Sequence, residues 1–214
     1  MDELKKQILF YNSQIIQKEN KGFEIEKGKI PIILSAPHCV PQTRNGKIKP
    51  KEGETGAIVQ ILARKRQCYA IFKTRHQNDD ANYDIDSNMY KDNLRKIIKR
   101  ENIKLLLDFH GAKNENAFDI EIGTDNGKNI NQKNYIVAEL KEKLNKQKIF
   151  NIVENQKFKA SSIHTISKYI HETTNIPCIQ LEITGRYRYI ENLEGINKLI
   201  IGIEDFIETI KESL

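Results

Sequence analysis

Apolar residues along this chain fall into two kinds of pattern. Continuous or alternating runs, such as "IKLLLDF" and "FDIEIG", predict strands that are covered on both faces or on one face. Apolar residues three or four positions apart, such as Leu199, Ile203 and Phe206, predict amphipathic helices. The same patterns predict further strands in "FEIEKGKIPIILS", "YAIFK", "KIFNIV" and "PCIQLEIT", and helices in 3–17, "ETGAIVQILARKRQ", "NMYKDNLRKIIKREN", 130–146, 161–174 and 193–212.

The order of these elements predicts the fold class. Strands that alternate with helices predict an α/β protein in three layers, with a central mixed, mostly parallel sheet flanked by helices. No repeat or linker divides the 214 residues, so we predict a single domain over 1–214. Residues 36–53 interrupt the pattern with several prolines and glycines, which predict a loop. A loop of this length is commonly functional.

Composition and charge narrow the classes of function. The net charge of +6 would suit a nucleic-acid partner, but lysines and glutamates are mixed along the predicted helices and no run of five basic residues occurs, so none is expected. No apolar run approaches the ~20 residues that span a bilayer, and "MDELKKQILFYNSQ" is charged from its second residue, unlike a signal peptide. Three cysteines without metal-ligand spacing predict reduced thiols and a cytoplasmic protein.

Two histidines follow buried strands. The run "IPIILSAPHCV" (30–40) leads to His38, and "LLLDFHGAK" (105–113) leads to His110. Because open α/β sheets bind ligands beyond the carboxyl ends of their strands, we expect both histidines near one site. Asp108 lies two residues before His110 on the same side of the strand, where a carboxylate can orient a ligand histidine. The alternative is a buried histidine with a single hydrogen bond.

A third ligand would complete a metal site. Catalytic zinc usually takes three protein ligands and leaves one position for water. Glu54 at the end of the long loop is a candidate, although the helix dipole alone also favours an acid at a helix start. Cys39 beside His38 raises the alternative of a cysteine nucleophile, but neighbouring side chains tend to point apart.

Two further candidates follow other strands. Arg75 comes two residues after the end of "YAIFK", where a guanidinium could bind a substrate carboxylate through two hydrogen bonds. Glu182 lies near the end of the strand in "CIQLEITGRYRY", where a carboxylate beside a metal-bound water would serve as a general base. The alternatives are a solvated loop for Arg75 and an outward-facing acid on an edge strand for Glu182.

Seven segments between about residues 30 and 190 resemble, in this order, the N-formylglutamate amidohydrolase family. They are "LSAPHCV", "GETGAIVQ", "TRHQNDDAN", "LLLDFHGA", "FDIEIGTDNGKN", "FKASSIHT" and "IQLEITGRYRY". The resemblance implies a zinc-exopeptidase-like fold, shared with zinc carboxypeptidases and the aspartoacylase group. It also implies metal-dependent cleavage of an amide in an amino-acid-like substrate.

Matched position by position, the resemblance implies a metal centre. His38 of "SAPHC", Glu54 of "GETG" and His110 of "DFHG" would be the ligands of one zinc, or a similar divalent ion, per chain. The glutamate of "QLEIT" matches the catalytic acid of the family, which implies Glu182 as the general base. Asp108 would orient a ligand from behind.

The resemblance also implies substrate-binding residues. Arg75, Asn82 and Arg186 match positions that would meet the substrate, and Asp80 belongs with Asn82 to the Asp-x-Asn pair of the family. We also expect Asp80 to support the metal ligands. Four positions depart from the pattern of the family. It usually has small residues where this chain has Cys39 and Val40, an aspartate where it has Glu54, and an arginine where it has Tyr83.

These residues together predict a zinc-dependent amidohydrolase. Its substrate would be a small molecule that carries a carboxylate, such as an N-acyl or N-formyl amino acid. One alternative is a deacylase or carboxypeptidase-like enzyme on γ-glutamyl or other acyl-amino acids. An alternative of another class is a non-catalytic anion-binding protein that keeps the fold, and metal content would separate it from the enzymes.

Overall fold

A computed structural model describes residues 1–17, 22–84 and 88–214 of the chain. The strands are β1 (Phe23–Glu26), β2 (Ile30–Ala36), β3 (Gln42–Arg44), β4 (Lys47–Lys49), β5 (Cys68–Lys73), β6 (Leu105–Ala112), β7 (Ile120–Gly123), β8 (Ile152–Glu154) and β9 (Cys178–Thr184). The α-helices are α1 (Asp2–Gln17), α2 (Thr55–Arg66), α3 (Met89–Arg100), α4 (Tyr135–Lys146), α5 (Ile166–Thr174) and α6 (Leu193–Ile210).

Seven of these strands form one mixed sheet in the order β1-β5-β2-β6-β9-β7-β8. Strand β2 is parallel to β5 and β6, β6 is parallel to β9, and β7 is parallel to β8. Strands β1 and β7 run antiparallel to β5 and β9. The predicted mixed, mostly parallel sheet is confirmed. Because β2, β6 and β9 are parallel neighbours, their carboxyl ends meet at one edge of the sheet.

Helices cover both faces of the sheet. On one face, residues such as Leu107 and Leu181 join a core with apolar residues of α1, α2, α4 and α6. On the other face, Ile33, Leu106 and Cys178 join a smaller core with residues of α3 and α5. Strand side chains alternate between faces, which explains why neighbouring residues such as Leu106 and Leu107 enter different cores.

The second face changes from apolar to polar toward the carboxyl ends of the strands. Asp108 of β6 pairs in register with Ser35 of β2 and Gln180 of β9. Two residues further along, His110 of β6 pairs with Glu182 of β9. All five side chains are buried. Burying so many polar groups is costly unless they are paired or bind a ligand, so this part of the sheet is the first place to look for chemistry.

Strands β3 and β4 form a hairpin within the segment that the sequence predicts to be a loop. Asn45 and Gly46 connect the strands, with φ angles of 51° and 70°. Both angles are positive, as the two central residues of a type I′ turn require, and Asn-Gly is the commonest sequence for that turn. The prediction of a plain loop over 36–53 is therefore wrong for this part, although the Asn-Gly signal was present.

Within the described residues, no helix has both the length and the apolar character that crossing a bilayer would need. The three cysteines are buried free thiols.

Candidate metal centre and active site

His38, Glu52 and His110 form a compact cluster at the carboxyl ends of β2 and β6. The Nδ1 atoms of the two histidines lie 3.2 Å apart. The Glu52 carboxylate lies 2.9 Å from Nδ1 of His38 through Oε1 and 3.3 Å from Nδ1 of His110 through Oε2. One ligand-type atom from each residue lies within 4.8 Å of the others. Two imidazole nitrogens and a carboxylate oxygen are a donor set that suits catalytic zinc.

An aspartate holds each histidine from behind. Nε2 of His38 lies 2.8 Å from Oδ1 of Asp80, and Nε2 of His110 lies 3.0 Å from Oδ2 of Asp108. Each Nε2–H donates to a buried carboxylate, so the ring orientation is fixed and Nδ1 faces the cluster centre. Supporting carboxylates of this kind are common behind metal-bound histidines. The residues present therefore fit a divalent cation.

The carboxylate of this cluster belongs to Glu52, and the sequence-based choice of Glu54 needs correction. The backbone N–H of Glu52 donates to the carbonyl of His38, and Glu52 Oε2 accepts from the N–H of Gly111. Glu54 has a left-handed backbone, with φ 62°, at the start of α2. The charges that act on its carboxylate are those of Lys51, Arg188 and Glu191, and not those of the histidines. The turn at Gly53 thus separates two acids that are close in sequence.

Neighbouring carboxylates raise the pKa values of both histidines in the metal-free protein. Burial lowers the pKa of His38, but the charge of Glu52 and hydrogen bonds to Asp80 and Glu52 outweigh it and raise the value to about 9. Burial likewise opposes the charges of Asp108 and Glu52 at His110, whose pKa lies well above its usual value. Both histidines hold the pKa of Glu52 well below its usual range, although burial alone would raise it.

Glu182 lies beside this cluster on an interior strand. Strand β9 runs between β6 and β7, and only 6% of Glu182 is exposed. An outward-facing acid on an edge strand is therefore excluded. Nε2 of Gln180 donates to Oε1 of Glu182 at 3.0 Å. Burial raises the pKa of Glu182 to about 7 against the opposing charge of His110. A carboxyl with this pKa can both accept and donate a proton near neutral pH.

The cluster and Glu182 line a cleft of about 400 Å³. Neither arginine that the sequence predicts for substrate binding lines this cleft. Arg75 is exposed beyond β5. The side chain of Arg186 is 56% exposed, and its Nη1 lies 3.0 Å from Oδ1 of Asp119. Both residues follow strands as predicted, and their contact with substrate stays a prediction.

Arg44 supplies the arginine of the cleft from the β3–β4 hairpin. Its Nε and Nη2 each lie 2.8 Å from Oδ2 of Asp80, and its guanidinium lies over the Tyr83 ring at 4.7 Å. The Asp80 carboxylate thus binds both Arg44 and His38. Asn82 also lines the cleft, and its Oδ1 accepts a hydrogen bond from the N–H of Ile166 at the start of α5.

Lysines on the segment 156–159 line another part of the cleft wall. Oε1 of Glu121, a buried residue of β7, accepts three consecutive backbone N–H groups at 2.7–2.8 Å, those of Gln156, Lys157 and Phe158. This single oxygen fixes the path of the segment. Lys157 and Lys159 line the cleft and are exposed. The walls of the cleft therefore carry at least three cationic side chains.

Arg188 joins the segments that carry the site. Its guanidinium donates to three carbonyls: Nε to Ile183 at 2.9 Å, Nη1 to Gly53 at 2.8 Å and Nη2 to Ala112 at 3.2 Å. Each carbonyl lies one or two residues from a glutamate or histidine of the site. A Cβ at Gly111 would lie 2.6 Å from Cζ of Arg188, so the close approach requires glycine there. No sequence pattern distinguishes Arg188 from the nearby Arg186.

The structure excludes Cys39 as a nucleophile. Cys39 is buried, and its Sγ donates to the carbonyls of Ala36 and Lys73 at 3.2 and 3.0 Å. Burial raises the pKa of the thiol to about 12, so the reactive thiolate is essentially absent at neutral pH.

A cationic cleft with a two-histidine, one-glutamate cluster and a separate buried glutamate is an arrangement suited to amide hydrolysis. The poly-gamma-glutamate hydrolase family model matches residues 13–197. The chain belongs to this family. The N-formylglutamate amidohydrolases that the sequence resembles are, by contrast, found among the proteins of similar fold. No curated protein sequence matches the chain significantly.

Solved structures of other proteins share the fold of this chain. An N-formylglutamate amidohydrolase from Ralstonia eutropha JMP134 aligns with a TM-score of 0.63 and 10% identity over 91% of this chain and 100% of that one. A bacteriophage poly-gamma-glutamate hydrolase aligns with a TM-score of 0.53 and 18% identity over 92% of this chain and 90% of that one. A metallo-carboxypeptidase from Burkholderia cenocepacia aligns with a TM-score of 0.55 and 12% identity over 95% of this chain and 68% of that one. The predicted zinc-exopeptidase-like fold is confirmed.

Proposed function

We propose that this member of the poly-gamma-glutamate hydrolase family is a zinc-dependent amidohydrolase that cleaves γ-glutamyl amide bonds. The convergence of His38 Nδ1, His110 Nδ1 and the Glu52 carboxylate next to Glu182 carries the proposal. Three ligands on one side leave room for water and substrate on the cleft side. Glu182, a second glutamate with a raised pKa, is not needed for binding a cation and suits proton transfer instead.

In this mechanism each residue of the site has a defined role. A zinc ion held by the cluster would polarise the amide carbonyl and acidify a neighbouring water. Glu182 accepts a proton from the attacking water, so that the water oxygen bonds to the carbonyl carbon. When the C–N bond breaks, Glu182 delivers this proton to the leaving nitrogen. Asp80 and Asp108 keep His38 and His110 in place throughout.

The cations of the cleft support an anionic substrate. Arg44, Lys157 and Lys159 line the cleft around the cluster. Each unit of γ-linked glutamate keeps a free α-carboxylate beside its amide, so such a chain offers the charges that these side chains attract. N-formylglutamate is a second candidate substrate, because it combines an amide with carboxylates and the Ralstonia protein shares the fold.

Metal analysis and a substrate panel test the proposal together. We expect about one zinc, or a similar divalent ion, per purified chain. We also expect kcat/KM for γ-linked glutamate oligomers to exceed that for α-linked ones at least tenfold. Faster cleavage of N-formylglutamate would favour the second candidate. A protein without bound metal that binds these anions and cleaves none would instead be a non-catalytic binding protein.

A further inference from the structure

The β3–β4 hairpin presents a row of cations on one face. Arg44 pairs in register with Lys47, and Gln42 pairs with Lys49. Residues opposite one another in an antiparallel pair share a face, and residues two apart on a strand share it too. Arg44, Lys47 and Lys49 therefore lie on the same face, which we call the hairpin track. Ile48 lies on the other face.

This face is continuous with the active-site cleft. Arg44 belongs to the track and also lines the cleft, where it binds Asp80. Two further contacts fix the hairpin to the neighbouring loop: the N–H of Thr43 donates to the carbonyl of Asp79 at 3.1 Å, and Nδ2 of Asn45 donates to the Tyr83 hydroxyl at 3.1 Å. The track is therefore an extension of the cleft wall at a fixed position.

The outer lysines of the track, Lys47 and Lys49, form no ion pair with an acidic side chain among the described residues. All three residues of β4 are exposed. Within 1–17, 22–84 and 88–214, neither Lys47 nor Lys49 has a carboxylate within salt-bridge distance, whereas lysines such as Lys65 and Lys141 pair with glutamates. Two unpaired cations on one exposed strand raise the local positive potential and attract a polyanion.

We infer that the hairpin track binds α-carboxylates of poly-γ-glutamate beyond the units held in the cleft; this inference rests on the proposed function. Lys47 and Lys49 are two strand residues apart, which separates their backbone positions by about 7 Å. An extended γ-linked unit has five backbone bonds and spans roughly 6 Å at ordinary bond lengths. Successive carboxylates therefore recur at a spacing that the flexible lysines can match.

The double variant Lys47→Gln/Lys49→Gln tests the track, and Lys5→Gln/Lys6→Gln on α1 is the matched control with the same loss of charge. Both helix lysines are exposed, and α1 packs on the opposite face of the sheet. We would measure kcat/KM on γ-linked triglutamate and on long poly-γ-glutamate at low salt. We expect a roughly 3- to 20-fold loss on the polymer, mainly in KM, and unchanged cleavage of triglutamate. About 0.5 M salt should erase the difference.

The possible failures are distinguishable. Equal kinetics of wild type and double variant on the polymer would overturn the track and leave the hydrolase intact. Cleavage of neither substrate by the wild type would instead overturn the proposed function. In that case, binding of fluorescently labelled polymer still tests the track. Binding should be weaker for Lys47→Gln/Lys49→Gln and unchanged for Lys5→Gln/Lys6→Gln. Tighter binding of single-stranded DNA than of poly-γ-glutamate through these lysines would also overturn the inference.

Discussion

His38 and His110 turn the same ring atom toward each other, with their Nδ1 atoms 3.2 Å apart. The pKa of His38 is about 9 in the metal-free protein, so at pH 7 both of its ring nitrogens carry a proton. Metal ligation needs the free Nδ1 lone pair, and we therefore expect zinc binding at pH 7 to release at least about one proton. Calorimetry in buffers of different ionisation enthalpy would count the protons, and a count of zero would contradict the assigned ligands.

The same protons make the stability of the metal-free protein depend on pH. The pKa of His38 rises on folding from 6.5 to about 9. A raised pKa stabilises the fold fully below pH 6.5, and this contribution disappears as the pH rises through 9. From His38 alone we expect the free energy of unfolding to fall by about 3 kcal/mol across this window. Denaturation of chelator-treated protein at pH 6, 8 and 10 measures it, and a flat profile would refute it.

Glu52 and Glu54 offer a matched pair for the third ligand. Glu52→Gln replaces a charged oxygen between the histidines, and we expect metal affinity to fall at least 10- to 100-fold with a parallel loss of activity. Glu54→Gln changes a half-buried acid outside the cluster and should retain both properties. Zinc content after dialysis, measured on both variants, shows which of the two glutamates is the metal ligand. Metal loss from the Glu54 variant alone would restore the sequence-based choice.

Glu182→Gln tests the general base. The substitution keeps the size of the side chain and the fold, and leaves the metal ligands untouched, but removes the proton acceptor. We expect kcat to fall about 10²- to 10⁴-fold while zinc content stays the same. In the wild type, activity should decline as falling pH protonates Glu182. This limb lies below pH 7, because a bound cation would lower the pKa of about 7 found for the carboxyl. A variant with an unchanged pH profile would exclude this role.

Arg188 and Arg186 form a second matched pair, two residues apart. Lysine at position 188 cannot reach the three carbonyls that the guanidinium joins, so we expect Arg188→Lys to lose about 2–4 kcal/mol of stability and roughly tenfold in zinc affinity. Arg186→Lys changes an exposed side chain and should alter stability by less than about 0.5 kcal/mol. Thermal unfolding and zinc titration compare them. A large increase in KM for Arg186→Lys would support its predicted contact with substrate.

The sequence was informative about the sheet because apolar runs report burial directly. The runs before His38 and His110 identified β2 and β6 as buried strands, and parallel strands bring their ends together. Asp108 could be predicted behind His110 because both side chains leave one strand on the same side. These predictions depend only on local periodicity and on the direction of neighbouring strands.

Loop residues could not be predicted in the same way, since backbone turns decide which side chain enters the site. In "EGE" at 52–54 the two acids differ by two positions, and only the left-handed backbone at Glu54 reveals that Glu52 faces the histidines. Arg75 follows a strand as closely as His38 does, yet the cleft takes its arginine from the hairpin. The Asn-Gly turn gave the one local signal for Arg44.

His110, Glu182 and Glu121 stand side by side on three adjacent strands, in register and on one face of the sheet. A slip of β9 by one residue would present Leu181 or Ile183 at the centre of this row and turn the acid into the apolar core. The proposed activity would then be lost even if every helix had formed. Under the proposed function, measured activity would therefore also report correct strand register, since only chains with correctly aligned strands could be active.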